Sequence, residues 1–256
     1  MKFDPMTIEH LGIKMYSSFH AALAELIANA YDANATKVYI DIVDSGIKKI
    51  TVQDDGDGMT FDDVNKKFLV IGRNRRVEDR AEGIENKRKV MGRKGLGKLS
   101  LFGLGNTVDI ETKIKGSPVE TNFRLEWSEI KEAFNKKEYK PFFETKEAER
   151  DVHGTKIVLS DLNRKKKFDV DLLKRKIVQM FHGLDSNFRI FISYNGSEYM
   201  ELEEKLKYEN INKEFEWKFE DFYPHIKADY KNKTKIKGVI YSSVLPLPGD
   251  QRGITI

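Results

Sequence analysis

The residue types that could do chemistry fall in three separated stretches of this 256-residue chain. The first is Glu25-Leu-Ile-Ala-Asn29-Ala-Tyr-Asp32-Ala33. At about 100° per helical residue, Glu25, Asn29 and Asp32 fall within about 60° of one another, so a carboxylate, an amide and a second carboxylate share one face. The second is Asp54-Asp55-Gly56-Asp57-Gly58-Met59, whose two glycines let the backbone approach a ligand closely. A carboxylate at a strand end beside such a turn can accept a hydrogen bond from an exocyclic amine. The third is Gly92-Arg-Lys94-Gly95-Leu96-Gly97-Lys98. A glycine-rich turn entering a helix aims backbone N–H groups and the positive dipole end at an anion, and Lys94 and Lys98 add charge. Singly, each stretch also suits a solvated face or surface turn. Together they read as a nucleotide site assembled from three segments.

Several elements must position these residues. Residues 16–33 contain no Pro or Gly and are rich in Ala and Leu, which predicts a helix. Phe19, Leu23, Leu26, Ile27 and Ala30 lie opposite the polar face and should pack in the core. Residues 36–43 and 49–53 alternate as strands around the turn Asp44-Ser-Gly46, a hairpin that runs straight into Asp54. Gly92 to Lys98 satisfies G-x-x-x-x-G-K, but Leu99 stands where a P-loop needs Ser or Thr to hold magnesium. The preceding Asn86-Lys-Arg-Lys-Val-Met91 is also too basic for a buried strand, so a P-loop is rejected. A helix is predicted to begin just after these glycines, and another over residues 61–70.

Further along, residues 107–114 and 121–127 alternate as strands, and residues 128–151 are charged and irregular, a hairpin extension. His153-Gly154-Thr155 feeds a strand over 156–162. Residues 170–184 have helical spacing with Leu173, Ile177, Met180 and Phe181 apolar, and residues 188–194 form a strand. The sum is an α+β two-layer sandwich, with helices on one face of a mixed, mostly antiparallel sheet.

In this order the segments resemble four motifs of the GHKL superfamily of ATPases: gyrase B, the large heat-shock chaperone, histidine kinases and MutL. Glu25-x-x-x-Asn29-x-x-Asp32-Ala33 looks like the N-box and Asp54-x-Gly56-x-Gly58 like the first glycine box. Gly92-x-x-Gly95-x-Gly97 resembles the second glycine box, and Gly154-Thr155 the terminal Gly-Thr. The run from Ala33-Asn-Ala-Thr36 through the hairpin is most similar to the MutL and MORC-like branches. The resemblance covers roughly residues 10–195 and implies the Bergerat variant of the fold, with ATP and Mg2+ as ligands. It implies that Glu25 is the general base for the attacking water and that Asn29 holds the magnesium. It also implies that Asp54 binds the adenine amine, partly through water, with Gly58 and Thr155 in the same network and Met59 packed on the base. Asp32, Ala33 and Gly56 belong to the same motifs. Gly92, Lys94, Gly95, Leu96, Gly97 and Lys98 would wrap the phosphates.

Composition sets the bounds. The formal net charge is +4 and 39% of residues are hydrophobic, enough for a core but no argument for nucleic-acid affinity. Nucleic-acid contact stays open through two basic patches: Arg164-Lys-Lys-Lys167, and residues 73–98, where ten basic residues meet four acidic ones. Residues 72–97 are expected to form a lid that closes over the nucleotide. The chain has no cysteine, hence no disulfide or thiolate chemistry, and its five histidines show no metal-ligand spacing. With no signal-peptide core and no apolar run long enough to cross a bilayer, the expected setting is cytoplasmic with no membrane contact.

We expect an ATP-binding domain over residues 1–200 and the start of a transducer-like region over 201–256, cut from a longer protein. Three functions compete. One is Mg-dependent ATP hydrolysis driving lid closure and homodimerisation. Another is a nucleotide-gated module binding DNA or protein with negligible turnover. The third is a histidine-kinase-type phosphotransferase, which fits less well because those kinases lack the base that Glu25 resembles.

Overall fold

The computed structural model describes residues 19–64, 91, 101–132, 141–148, 153–162, 164, 166–181, 187–207, 211–226, 235 and 237–246. The expected lid and second glycine box, Met91 apart, lie outside these residues. The chain divides into two compact units, Met1–Glu204 and Lys205–Ile256.

In the first unit, helix α1 (Phe19–Asp32) leads into the hairpin β1 (Lys37–Val43) and β2 (Lys49–Asp54). A single turn α2 (Phe61–Asp63), the turn α3 (Leu101–Leu104) and strands β3 (Gly105–Lys113) and β4 (Val119–Glu126) follow. Next come α4 (Trp127–Glu132), β5 (Phe142–Glu147), β6 (Gly154–Leu162), α5 (Val170–Phe181), β7 (Arg189–Tyr194) and the short β8 (Met200–Glu201). The eight strands form one sheet in the order β5-β4-β3-β6-β2-β1-β7-β8. Only β1 and β7 pair in parallel; the other neighbours are antiparallel. This is the expected mixed, mostly antiparallel α+β sandwich.

Period-two alternation decides which face is dry. Val38, Ile40 and Ile42 of β1, Ile50 and Val52 of β2, Val108 and Ile110 of β3, and Ile157 and Leu159 of β6 point into one core cluster. Leu23, Leu26, Ile27 and Ala30 of α1 and Leu173, Ile177 and Phe181 of α5 complete that cluster. The apolar face foreseen for α1 is therefore the buried one, with Ala22 and Tyr31 added. The other sheet face carries ion pairs: Arg124 to Asp109 at 2.6 Å and Lys156 to Glu111 at 3.1 Å. At the far end of β1, buried Asp44 accepts from Phe168 N–H (2.7 Å) and Tyr194 Oη–H (3.0 Å) and pairs with Lys48 (2.8 Å).

Two local expectations change. Residues 128–151 are not uniformly irregular: α4 forms because Trp127 and Ile130, three apart, both bury, and β5 then adds an edge strand beside β4. On α5, Met180 is exposed and Val178 is buried in its stead.

In the second unit, β9 (Lys213–Lys218) and β10 (Val239–Ser243) form an antiparallel two-stranded ribbon. β10 runs against β9 with Val239 opposite Lys218 and Ile240 opposite Trp217.

Candidate functional site

Three adjacent strands end in polar residues on the core-facing side. On β2 the inward series Ile50, Val52 continues to Asp54; on β6, Leu159 and Ile157 are followed outward by Thr155; on β3, Val108 and Ile110 lead to Thr112. Because β6 lies between β3 and β2, with Thr112 paired to Thr155, the three polar groups meet at one end of the sheet. Asp54 Oδ1 accepts hydrogen bonds from the N–H groups of Gly56 (2.9 Å) and Thr155 (3.2 Å). Oδ2 has no hydrogen-bond partner among the described residues. The Thr112 and Thr155 hydroxyls lie 3.1 Å apart, and Thr112 Oγ1 also accepts from Met59 N–H at 2.9 Å. Burial pushes the Asp54 carboxyl up to about 6, against the Gly56 and Thr155 donors that favour its ionised form.

The turn after Asp54 is shaped by close backbone approaches. Gly58 has φ +69°, and a Cβ there would stand 2.0 Å from the Lys113 carbonyl oxygen. Gly154 has φ +114°, and its Cβ would stand 2.1 Å from the Asp54 carbonyl oxygen. Only glycine meets both constraints, in conformation and in space. His153 Nδ1 lies 2.8 Å from the Gly56 carbonyl oxygen and can donate to it, tying the start of β6 to the same turn. A capping box between Thr60 and Asp63 then starts α2.

Helix α1 enters this site at its C-terminal end. Glu25, Asn29 and Asp32 are half-buried on the side away from the core residues. The Ala33 carbonyl accepts from Asp57 N–H at 2.8 Å, joining the end of the helix to the turn. Asp32 Oδ1 accepts from Met91 N–H at 2.7 Å, so its carboxylate holds the residue that precedes Gly92 in sequence. Met59 and Met91 both pack half-buried on the core cluster.

Of the sequence-derived candidates, Asp32, Ala33, Asp54, Gly56, Gly58, Met59 and Thr155 thus come together at one end of the sheet. Asn29 and Glu25 lie about one and two turns back along α1. Gly92, Lys94, Gly95, Leu96, Gly97 and Lys98 lie outside the described residues. Thr112, Thr36, Asn34 and Asp55 were missed. For Thr112 a signal existed: a polar residue in the inward phase of an otherwise apolar alternation. Among the described residues there is no cluster of three or more His, Asp or Glu that could hold a metal. A single side-chain oxygen such as the Asn29 amide would suit Mg2+, which keeps waters and takes phosphate oxygens rather than an all-protein cage.

The family model for histidine kinase-, DNA gyrase B- and HSP90-like ATPases matches residues 16–155. The protein named "Putative type II restriction enzyme HgiDII" from Herpetosiphon aurantiacus is 36% identical over 182 residues, covering 68% of this chain and 29% of that protein. The DNA mismatch repair protein MutL of Lactobacillus acidophilus is 44% identical over 48 residues, 19% of this chain and 8% of MutL. MutL of Methanothrix thermoacetophila is 27% identical over 114 residues, 44% of this chain and 20% of MutL. The chain therefore spans less than a third of the length of these relatives. With the motif order, the Bergerat-type sheet and a match across more than half its length, the chain belongs to the GHKL family of ATPases, in its MutL-like branch.

Proposed function

We propose that this chain binds ATP with Mg2+ and hydrolyses it. The observation that carries the reading is the Asp54 carboxylate. One oxygen is fixed by two backbone N–H groups, and the other has no partner among the described residues. An acceptor held this way suits the adenine amine and selects against guanine, whose corresponding group is a carbonyl. Gly58 and Thr155 frame it, with Met59 against the base. Glu25, on the polar face of α1, takes the proton of the attacking water, and Asn29 offers its amide oxygen to the cation. When bound, Mg2+ neutralises and orients the phosphates. Lys94 and Lys98 neutralise further charge, and the glycines between them offer backbone N–H donors.

Lid closure by residues 72–97 and pairing of two copies would convert ATP occupancy into a mechanical switch. The composition of that stretch supports this, and limited proteolysis checks it: cleavage between Arg73 and Lys89 should be suppressed by a non-hydrolysable ATP analogue. A second reading is a nucleotide-gated module with little turnover. The names of the relatives, a restriction enzyme and a mismatch-repair protein, favour DNA as the partner of either version. Phosphate release decides between the two. Wild type should turn over, while Glu25→Ala should bind ATP with little change and lose at least 100-fold in rate. Equal, negligible release from both would favour the gated module. Absence of ATP binding by wild type would overturn the nucleotide site itself.

A further inference from the structure

Adenine recognition uses one of the three aspartates in the turn, yet the other two are also engaged. Asp55 Oδ1 accepts from the N–H groups of Thr36 and Lys37, each at 2.7 Å, and Asp55 Oδ2 accepts from the Thr36 hydroxyl at 2.6 Å. Asp57 Oδ2 accepts from Asn34 Nδ2 at 2.6 Å, and its N–H meets the Ala33 carbonyl. Asn34 takes a left-handed conformation (φ +58°), which an Asn tolerates at modest cost and which turns the chain out of the helix. Each of these partners of the two aspartates lies in residues 33–37, where the chain leaves α1 and enters β1. Thr36 is itself fixed from the other side, since its carbonyl accepts from Arg189 N–H at 2.8 Å. Burial opposes ionisation of Asp55, but the Thr36 hydroxyl and the Lys37 and Thr36 N–H groups outweigh it and hold the carboxyl below its ordinary value. These are charge-assisted bonds, the stronger kind.

We propose that Asp55 and Asp57 are positioning residues of the nucleotide site, whose carboxylates clasp the adenine turn to the end of α1 and so fix the spacing between Asp54 and Asn29. This inference rests on the ATP reading above. ATP is a two-ended ligand, with its base at the turn and its magnesium-bound phosphates at the helix. When both half-sites are rigidly joined, a bound base delivers the phosphates at high effective concentration. Loosening the joint leaves each half-site intact but removes that advantage. The signature is therefore a loss confined to the second half of the ligand.

The test compares adenosine with a magnesium-loaded non-hydrolysable ATP analogue by calorimetry, in wild type, Asp55→Asn, Thr36→Val and Thr36→Ser. The ratio of the two affinities should fall at least tenfold in Asp55→Asn and Thr36→Val. Adenosine affinity should stay within about threefold of wild type in both. Thr36→Ser, which keeps the hydroxyl, should restore the ratio. A substitution that merely weakens the fold lowers the competent fraction for both ligands alike, and parallel losses would overturn the clasp. An unchanged ratio in every variant would overturn it too. If Asp55→Asn does not fold, Thr36→Val still decides, because it keeps both backbone bonds to Asp55. Failure of the underlying ATP reading looks different: wild type then binds neither ligand.

Discussion

At pH 7 the Asp54 carboxyl is ionised although burial has pushed its pKa up to about 6. An unfolded aspartate titrates near ~4, so the folded state holds this proton more tightly. Its contribution to stability is complete below about pH 4 and is lost as pH rises through about 6. Binding has the opposite sign, since only the ionised carboxylate offers adenine an acceptor without a competing O–H. ATP affinity should therefore fall as pH drops from 7.5 through about 6, while this group's share of stability grows. Asp54→Asn separates the two effects. Its amide oxygen can still accept from Gly56 and Thr155, but its NH2 then faces the adenine amine. Calorimetry should register no ATP binding, whereas urea unfolding at pH 7.5 should give a variant more stable by on the order of 1–3 kcal/mol. A variant that binds ATP, or that is less stable at that pH, would contradict the assignment. The sequence made Asp54 legible because it stands between a strand and two glycines. It hid Thr112, Thr36 and Asp55, whose partners lie 43, 19 and 18 to 19 residues away in the chain and become neighbours only through strand register.

Two glycines act at the scale of elements, because each marks a place where one strand end or turn runs against another. Gly58 abuts the end of β3 and Gly154 abuts the end of β2. Gly116, between β3 and β4, also has positive φ (+77°), but nothing lies within 4 Å of where its Cβ would be. The comparison isolates two costs. Gly116→Ala should lose only about 1 kcal/mol, for the left-handed backbone. Gly58→Ala and Gly154→Ala add a backbone clash that no side-chain rotation relieves, and should lose 3 kcal/mol or roughly that, with the Asp54 turn displaced. Denaturant midpoints for the three variants check the ranking; equal losses would mean the turn is not held as tightly as these approaches imply. Helix α1 and the β1–β2 hairpin were legible as elements because amphipathic periodicity and a glycine turn specify them locally. Helix α4 and edge strand β5 were not, because α4 depends on burying Trp127 and Ile130 and β5 on pairing with β4. Neither cause is visible in a charged stretch.

Across the whole molecule the two units differ in what holds them. The first has a contiguous core shared by the sheet and its helices, with Ile40, Ile42, Ile50 and Leu159 essentially inaccessible to water. The second unit's ribbon is different: all six residues of β9 are exposed, as are Val239 and Ile240 of β10. Phe215 and Trp217 stack on each other at 5.6 Å yet remain exposed. A two-stranded ribbon without a buried face is marginal in water, because ordering its backbone is not offset by apolar burial. Hydrogen exchange should therefore separate the units. Amides of β2 and β6, inside the eight-stranded sheet, should exchange only through large-scale opening, while those of β9 and β10 exchange at least 100-fold faster through local fraying. ATP analogue added in excess should slow exchange at residues 54–59 and 153–155, where the proposed base site lies, and leave β5, at the sheet edge, unchanged. Uniform protection across both units would mean that the ribbon draws its stability from contacts beyond its own two strands.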